Sequence, residues 1–167
     1  MSFFDQEYRF FGPHAQKVQE LVSNEFFESY IEILLVAGLV GKSQNQTSPL
    51  EKGQGTSVAK IHIDTIFSRQ RQLEHEFMLV MLSDIHSDDN FSEQAELLFR
   101  MQQPSESQWE TFNSYVRGGI DYLYDKLLAS TSTAPKDQLN AIVDLLHEYR
   151  LINGSIGSDK LVQMSNY

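Results

Sequence analysis

FNSYVRGGIDYLYDKLL, residues 112–128, is the stretch whose reading decides the fold. Phe112, Val116, Leu123 and Leu127 recur at the three-and-four spacing of one helix face, and Gly119 falls on that same face. An interior glycine costs a helix about 1 kcal/mol relative to alanine, so Gly118 and Gly119 in succession call for a break or a very close neighbour. The place of Gly119 on the apolar stripe favours close packing. Ser107 and Glu110 stand at capping-box spacing and predict the start of this helix. Arg117 is nearly alone among acids and stands four residues before Asp121, a spacing that allows an ion pair. With Gly118 and Gly119 it also outlines a notch that a partner's backbone or an anion could approach.

Helical periods continue on both sides. Pro13 suits a first helical turn, and Val18, Leu21, Val22 and Phe26 follow at helix spacing. Residues 26–36 are apolar almost all round, the pattern of a helix buried at the centre of a bundle, with Gly38 and Gly41 as its expected end. Residues 42–57 hold Leu50 as their only large apolar side chain and read as a mobile surface loop. The alternation Ile61-His62-Ile63-Asp64 allows a short strand, but a helix from about residue 64 is preferred, carrying Ile66, Phe67, Leu73, Phe77, Val80 and Met81. After a polar break at residues 84–90, Asn90 or Ser92 can cap a short helix that Pro104 ends. Ser and Thr at 130–133 with Pro135 mark another boundary, before a helical stripe from Leu139 to Tyr149 that Asn153-Gly154 closes. The expectation is an all-α fold, an irregular single-domain helical bundle of five or six helices. It spans residues 1–167, with an aromatic N-terminal arm at 1–12 and a loose C-terminal tail at 155–167.

Cysteine is absent, which removes disulfides and thiolate chemistry and fits a reducing compartment. The longest apolar run, residues 33–40, is far short of the roughly 20 residues that span a membrane. The first residues hold acids among aromatics and do not read as a signal peptide, so a cytoplasmic location is expected. The net charge is −10, and it is uneven: residues 84–125 carry nine acids and two bases. Such a surface repels a phosphate backbone, so no direct nucleic-acid binding and no membrane association are expected, and a protein partner with a basic surface fits better.

Candidate chemistry is sparse. Asp84, His86 and Asp88 alternate as metal-ligand types, but an EF-hand loop begun at Asp84 would need glycine at Asp89 and glutamate at Ala95. The bland alternative is an acidic turn that caps the next helix. His75-Glu76 lacks the second histidine of a zinc-protease motif, since Leu79 stands there, and His75 is expected on a solvated face. No G-x-S-x-G elbow occurs, and Gly53-Gln-Gly55 has neither the spacing nor the lysine of a phosphate cradle. No catalytic residue and no cofactor are assigned. Phe3, Phe4, Tyr8, Phe10 and Phe11 form a dense aromatic cluster. Either the arm folds back onto the bundle, or Phe3, Phe4, Phe10 and Phe11 anchor a partner.

The order of these features resembles small helical proteins associated with bacterial DNA phosphorothioation, found in the dnd defence islands. The resemblance rests on residues 33–42 followed by Ser48-Pro49-Leu50, on residues 61–67 (IHIDTIF), and on Phe112-x-x-Tyr115-x-x-Gly118-Gly119-Ile120-x-x-Leu123. It covers about residues 20–130. Val116 and Arg117 depart from the alanine and asparagine usual before the glycines. The resemblance implies the genomic company of DNA modification or restriction genes and no particular reaction. The leading expectation is a non-catalytic accessory or interaction protein of such a system. The alternatives are a carboxylate metal-dependent enzyme centred on residues 84–89 and an acidic DNA mimic occupying the basic cleft of a nucleic-acid-binding protein.

Overall fold

A computed structural model describes residues 4–51, 57–85, 91–101, 103–129 and 139–148, and the chain divides into two units, Met1–Tyr124 and Asp125–Tyr167. The first unit opens with strand β1 (Tyr8–Phe11), which turns directly into helix α1 (Gly12–Ser23). Gly12 makes that corner at φ 59°, a left-handed conformation that costs glycine little, and proline follows in the first turn, where no N–H is needed. Val18 and Leu21 bury the inner face of α1.

Helix α2 (Tyr30–Ser43) runs straight through Gly38 and Gly41, which therefore do not end it as the sequence suggested. The reason is packing. Both glycines lie on the face that meets other helices, and it is Gln44 that closes the helix. Strand β2 (Val58–Ile61) then pairs antiparallel with β1, Tyr8 opposite Ile61 and Phe11 opposite Val58. Helix α3 (Ile63–Asp84) starts two residues after the strand ends. The alternating stretch at 61–64 thus belongs to both elements: the strand ends at Ile61, and the helix begins one residue earlier than expected. Helix α4 (Phe91–Arg100) and helix α5 (Glu106–Tyr124) complete the unit. The capping box of α5 sits two residues upstream of the predicted one: Ser105 Oγ accepts the Gln108 N–H at 3.2 Å, and Gln108 Oε1 accepts the Ser105 N–H at 2.8 Å.

The centre of this unit is the crossing of α2 and α5. A Cβ on Gly119 would overlap the Ala37 carbonyl and lie 2.9 Å from the Gly41 nitrogen; one on Gly41 would overlap the Tyr115 carbonyl and lie 2.9 Å from the Gly119 nitrogen. The close neighbour that the glycine pair called for is therefore another helix backbone, itself opened by glycine. Around the crossing Ile33, Leu34, Leu73, Phe77, Val80, Phe112, Val116 and Ile120 are fully buried. Phe77, Trp109 and Phe112 form an aromatic cluster, Phe77 and Phe112 with ring centres 5.2 Å apart, which Phe4 joins from the N-terminal arm, 5.0 Å from Trp109.

In the second unit the chain continues into a π-helical turn (Asp125–Ala129), and residues 139–148 form a further helix, α6, with Lys126 Nζ 2.9 Å from Glu148. The expected tail at 155–167 lies outside the described residues. The all-α class and irregular bundle expected from the sequence are found, with one small sheet added. Among the described residues no helix is long and apolar enough to cross a membrane.

Candidate functional site

The polar side chains of α5 lie next to its glycines. Arg117 keeps only 7% of its surface exposed, although it is an arginine in the middle of a helix. A buried guanidinium needs acceptors, and among the described residues it finds two: Nε donates to the Ser48 carbonyl at 2.7 Å, and Nη2 pairs with Glu110. The predicted Arg117–Asp121 pair does not form. Asp121 is taken from the other side by α1, with Lys17 Nζ at 2.7 Å and His14 Nε2 at 3.3 Å, and it also accepts the Ser48 hydroxyl. Burial alone would raise the Asp121 pKa, but the hydrogen bonds from His14, Lys17 and Ser48 outweigh it and hold the carboxyl well below the usual range.

Ser48 is the hinge of this arrangement. Its N–H donates to the Ser114 carbonyl at 3.0 Å, its carbonyl accepts from Arg117 and its hydroxyl reaches Asp121. Ahead of it, a Cβ on Gly118 would overlap the Gln46 carbonyl and come within 2.8 Å of the Thr47 nitrogen. The notch at Arg117, Gly118 and Gly119 is therefore filled by this chain's own backbone, Gly118 by residues 46–47 and Gly119 by α2. The start of the polar stretch at 42–57 is correspondingly docked on α5: its composition says nothing of this because the docking is made by backbone groups.

Asp84, at the end of α3, accepts from Lys42 Nζ and from the Tyr115 hydroxyl, each at 2.7 Å, and so ties three helices together. Burial would lower the Lys42 pKa, but Asp84 and Tyr115 raise it overall. His86 and Asp88 lie outside the described residues. Among the described residues no cluster of three metal-ligating side chains occurs. His75 is exposed on α3, as expected.

The aromatic arm turns inward. Phe4 and Phe10 are each 3% exposed, Phe11 is half-buried and Phe3 lies outside the described residues. Phe4 and Phe10 thus spend their rings on the protein's own core, and in this structure they are not free to anchor a partner. The arm instead borders a cavity of about 810 Å³. Residues 4–11 line one side, Trp109, Glu110, Asn113 and Arg117 of α5 line the other, and His14 and Leu50 complete it. Tyr8 donates to Asn113 Oδ1 at 2.7 Å across this space, and burial pushes its phenol pKa up.

Two buried groups escaped the sequence reading. Glu76 of α3, 3% exposed, accepts the Gly38 N–H at 3.1 Å, and a Cβ on Gly38 would stand 2.7 Å from that oxygen. Burial pushes its carboxyl up to about 8, against a partial lowering by the Gly38 and Leu39 backbone, so it is neutral at pH 7. Its Oε2 has no partner among the described residues. His14 is 5% exposed, and its Nδ1 likewise has none. A signal existed for both: Glu76 continues the stripe of Leu73, Phe77 and Val80, and His14 stands four and seven residues before Val18 and Leu21.

The family model for DNA sulphur modification system-associated protein 4 matches residues 12–155. The chain belongs to this family. Membership associates the chain with DNA phosphorothioation systems. The matched region takes in every element after β1, while the aromatic arm lies ahead of it. No match is found among curated proteins or solved structures.

Proposed function

We propose that this protein is a non-catalytic, protein-binding component of a DNA phosphorothioation system, and that it engages a partner with a basic surface. The observation that carries the reading is the exposed surface of α4 on both sides of its buried Leu98. This ten-residue helix buries Leu98 but leaves Leu97 and Phe99 63% and 64% exposed, beside the exposed carboxylates of Glu93 and Glu96. Leu97 and Phe99 stand on opposite flanks of the buried Leu98, each with a carboxylate one turn before it, Glu93 before Leu97 and Glu96 before Phe99, and exposed apolar side chains beside acids suit a partner that closes over the helix with apolar and basic groups. The acid surplus of residues 84–125 extends the same field. The titratable groups of α5 and its neighbours are committed to internal pairs, Arg117 to Glu110, Asp121 to Lys17 and Asp84 to Lys42, which suits a scaffold.

The test is co-expression with the proteins of a DNA phosphorothioation system from the same genome, followed by purification on a tag carried by this chain. A stoichiometric complex that weakens at least tenfold in the Leu97→Ser/Phe99→Ser double variant, and that loosens with added salt, is the expected result. Turnover of a DNA or nucleotide substrate by the isolated chain, with no complex formed, would overturn the reading.

A further inference from the structure

Helix α4 is held to its own fold by very little. Among its described side chains Leu98 alone is buried and Ala95 is half-buried, and the helix packs against α3. Successive residues of an α-helix stand about 100° apart around the axis. Leu97 and Phe99 are therefore separated by about 200° on the side that Leu98 buries and by about 160° across the exposed side. Glu93, Glu96 and Arg100 fall between them, on the crest of the exposed side. This reverses the usual amphipathic order, in which one apolar stripe faces the neighbour and the charges turn away. A flat surface laid on the crest would meet each apolar side chain about 80° from its own normal, too oblique to cover either. The crest is also unbalanced in charge. Arg100 pairs with Glu96 four residues before it, and Glu93 is left as the carboxylate without a base among the described residues.

We infer that α4 is received by a groove in a partner protein, whose two apolar walls cover Leu97 and Phe99 and whose floor carries a lysine or arginine opposite Glu93. A partner that covered one flank would leave the other large apolar side chain in water; a groove removes both from water and brings its floor to the crest. Once covered, the Glu93 carboxylate loses its water and needs a charged donor, whereas Glu96 has Arg100. The nine acids and two bases of residues 84–125 set the same requirement over a wider area. A phosphate backbone would meet Glu93 with like charge and has no apolar walls to offer. Glu93 is thus the residue that selects the partner's charge, and Leu97 and Phe99 are the pair that select its shape.

This inference rests on the reading of the chain as a protein-binding component and deepens it at the same helix. The test uses the full-length protein in the co-expressed complex, with the photo-cross-linker p-benzoylphenylalanine in place of Leu97, of Phe99 or, as a reference, of the exposed Ser23 of α1. Mass spectrometry of the irradiated complex is expected to place the adducts of positions 97 and 99 on one partner chain, in two separate segments of its sequence, with no adduct from position 23. Glu93→Gln is expected to weaken the complex at least fivefold with the melting temperature of the isolated protein unchanged, and Glu25→Gln, which removes an exposed acid from the turn after α1, less than twofold. Adducts from one flank only, adducts of both flanks on a single short segment, or equal effects of the two glutamate variants would overturn the groove. Each of those outcomes still requires a complex and so leaves the proposed function standing; failure to form any complex removes both.

Discussion

Gly41 of α2 and Gly119 of α5 meet backbone to backbone: a Cβ added to either would lie 2.9 Å from the other's nitrogen and overlap a carbonyl oxygen of the facing helix. Neither contact can be relieved by turning a side chain, because what stands in the way is main chain. Gly119→Ala and Gly41→Ala are each expected to destabilise the protein by about 3 kcal/mol or more, at or above the upper end of ordinary overpacking. Urea unfolding followed by circular dichroism measures this. A loss under 1 kcal/mol for either would show that the crossing can open.

Much of this crossing was legible beforehand and part was not. The stripe of Phe112, Val116 and Leu123 with Gly119 among them predicts close packing on α5, and that is found. The glycines of α2 were misread as a helix end because local propensity cannot distinguish a glycine that breaks a helix from one that admits a neighbour. The partners of Arg117 and Asp121 were equally hidden. An i, i+4 rule sees only the helix that carries both, whereas their true partners come from Ser48, 69 residues from Arg117, and from His14 and Lys17, 107 and 104 residues from Asp121. The buried Glu76 and His14 sat in view at stripe positions, but residue type outweighed period in reading them.

Glu76 sets a pH dependence. Its folded pKa of about 8 lies above the 4.5 of an unperturbed glutamate, so between those values the folded state holds a proton that the unfolded chain has released. Stability from this group is greatest below pH 4.5 and falls as pH rises towards 8, at a limiting slope of about 1.4 kcal/mol per pH unit. Glu76→Gln keeps the acceptor for Gly38 and cannot ionise. Its melting temperature is expected to exceed that of the parent protein at pH 8, with the advantage shrinking by pH 5. An unchanged difference across that range would show that Glu76 does not titrate in the fold.

Asp121 acts in the opposite direction. Its folded pKa is held below the ordinary carboxylate value, so its contribution is present above about pH 4 and is lost as acid protonates it. Asp121→Asn is expected to cost about 2 kcal/mol at pH 6 and progressively less as the pH falls below 4, by thermal unfolding at each pH. The joint contribution of Glu76 and Asp121 is therefore largest near pH 4 to 5, where Asp121 is ionised in the fold and Glu76 has not begun to lose its advantage. Ser48→Ala, which removes only the hydroxyl, is expected to reproduce about half of the Asp121→Asn loss, about 1 kcal/mol.

Phe4 couples the arm to the core and provides the most direct optical test. Its ring lies edge-on to Trp109 at 5.0 Å and 6.2 Å from Phe112, and it is 3% exposed. Phe4→Ala removes a buried aromatic that the surrounding α3 and α5 side chains cannot replace, a loss of about 3 kcal/mol by analogy with other core phenylalanines. It also admits water to the indole, so Trp109 emission is expected to shift to longer wavelength in the folded protein, before any unfolding transition. Phe4→Leu, which refills most of the volume, is expected to recover more than half of the stability and most of the emission position. An arm that serves only as a free anchor for a partner would give neither the spectral shift nor the rescue, because Phe4 would then leave the isolated protein unchanged when removed.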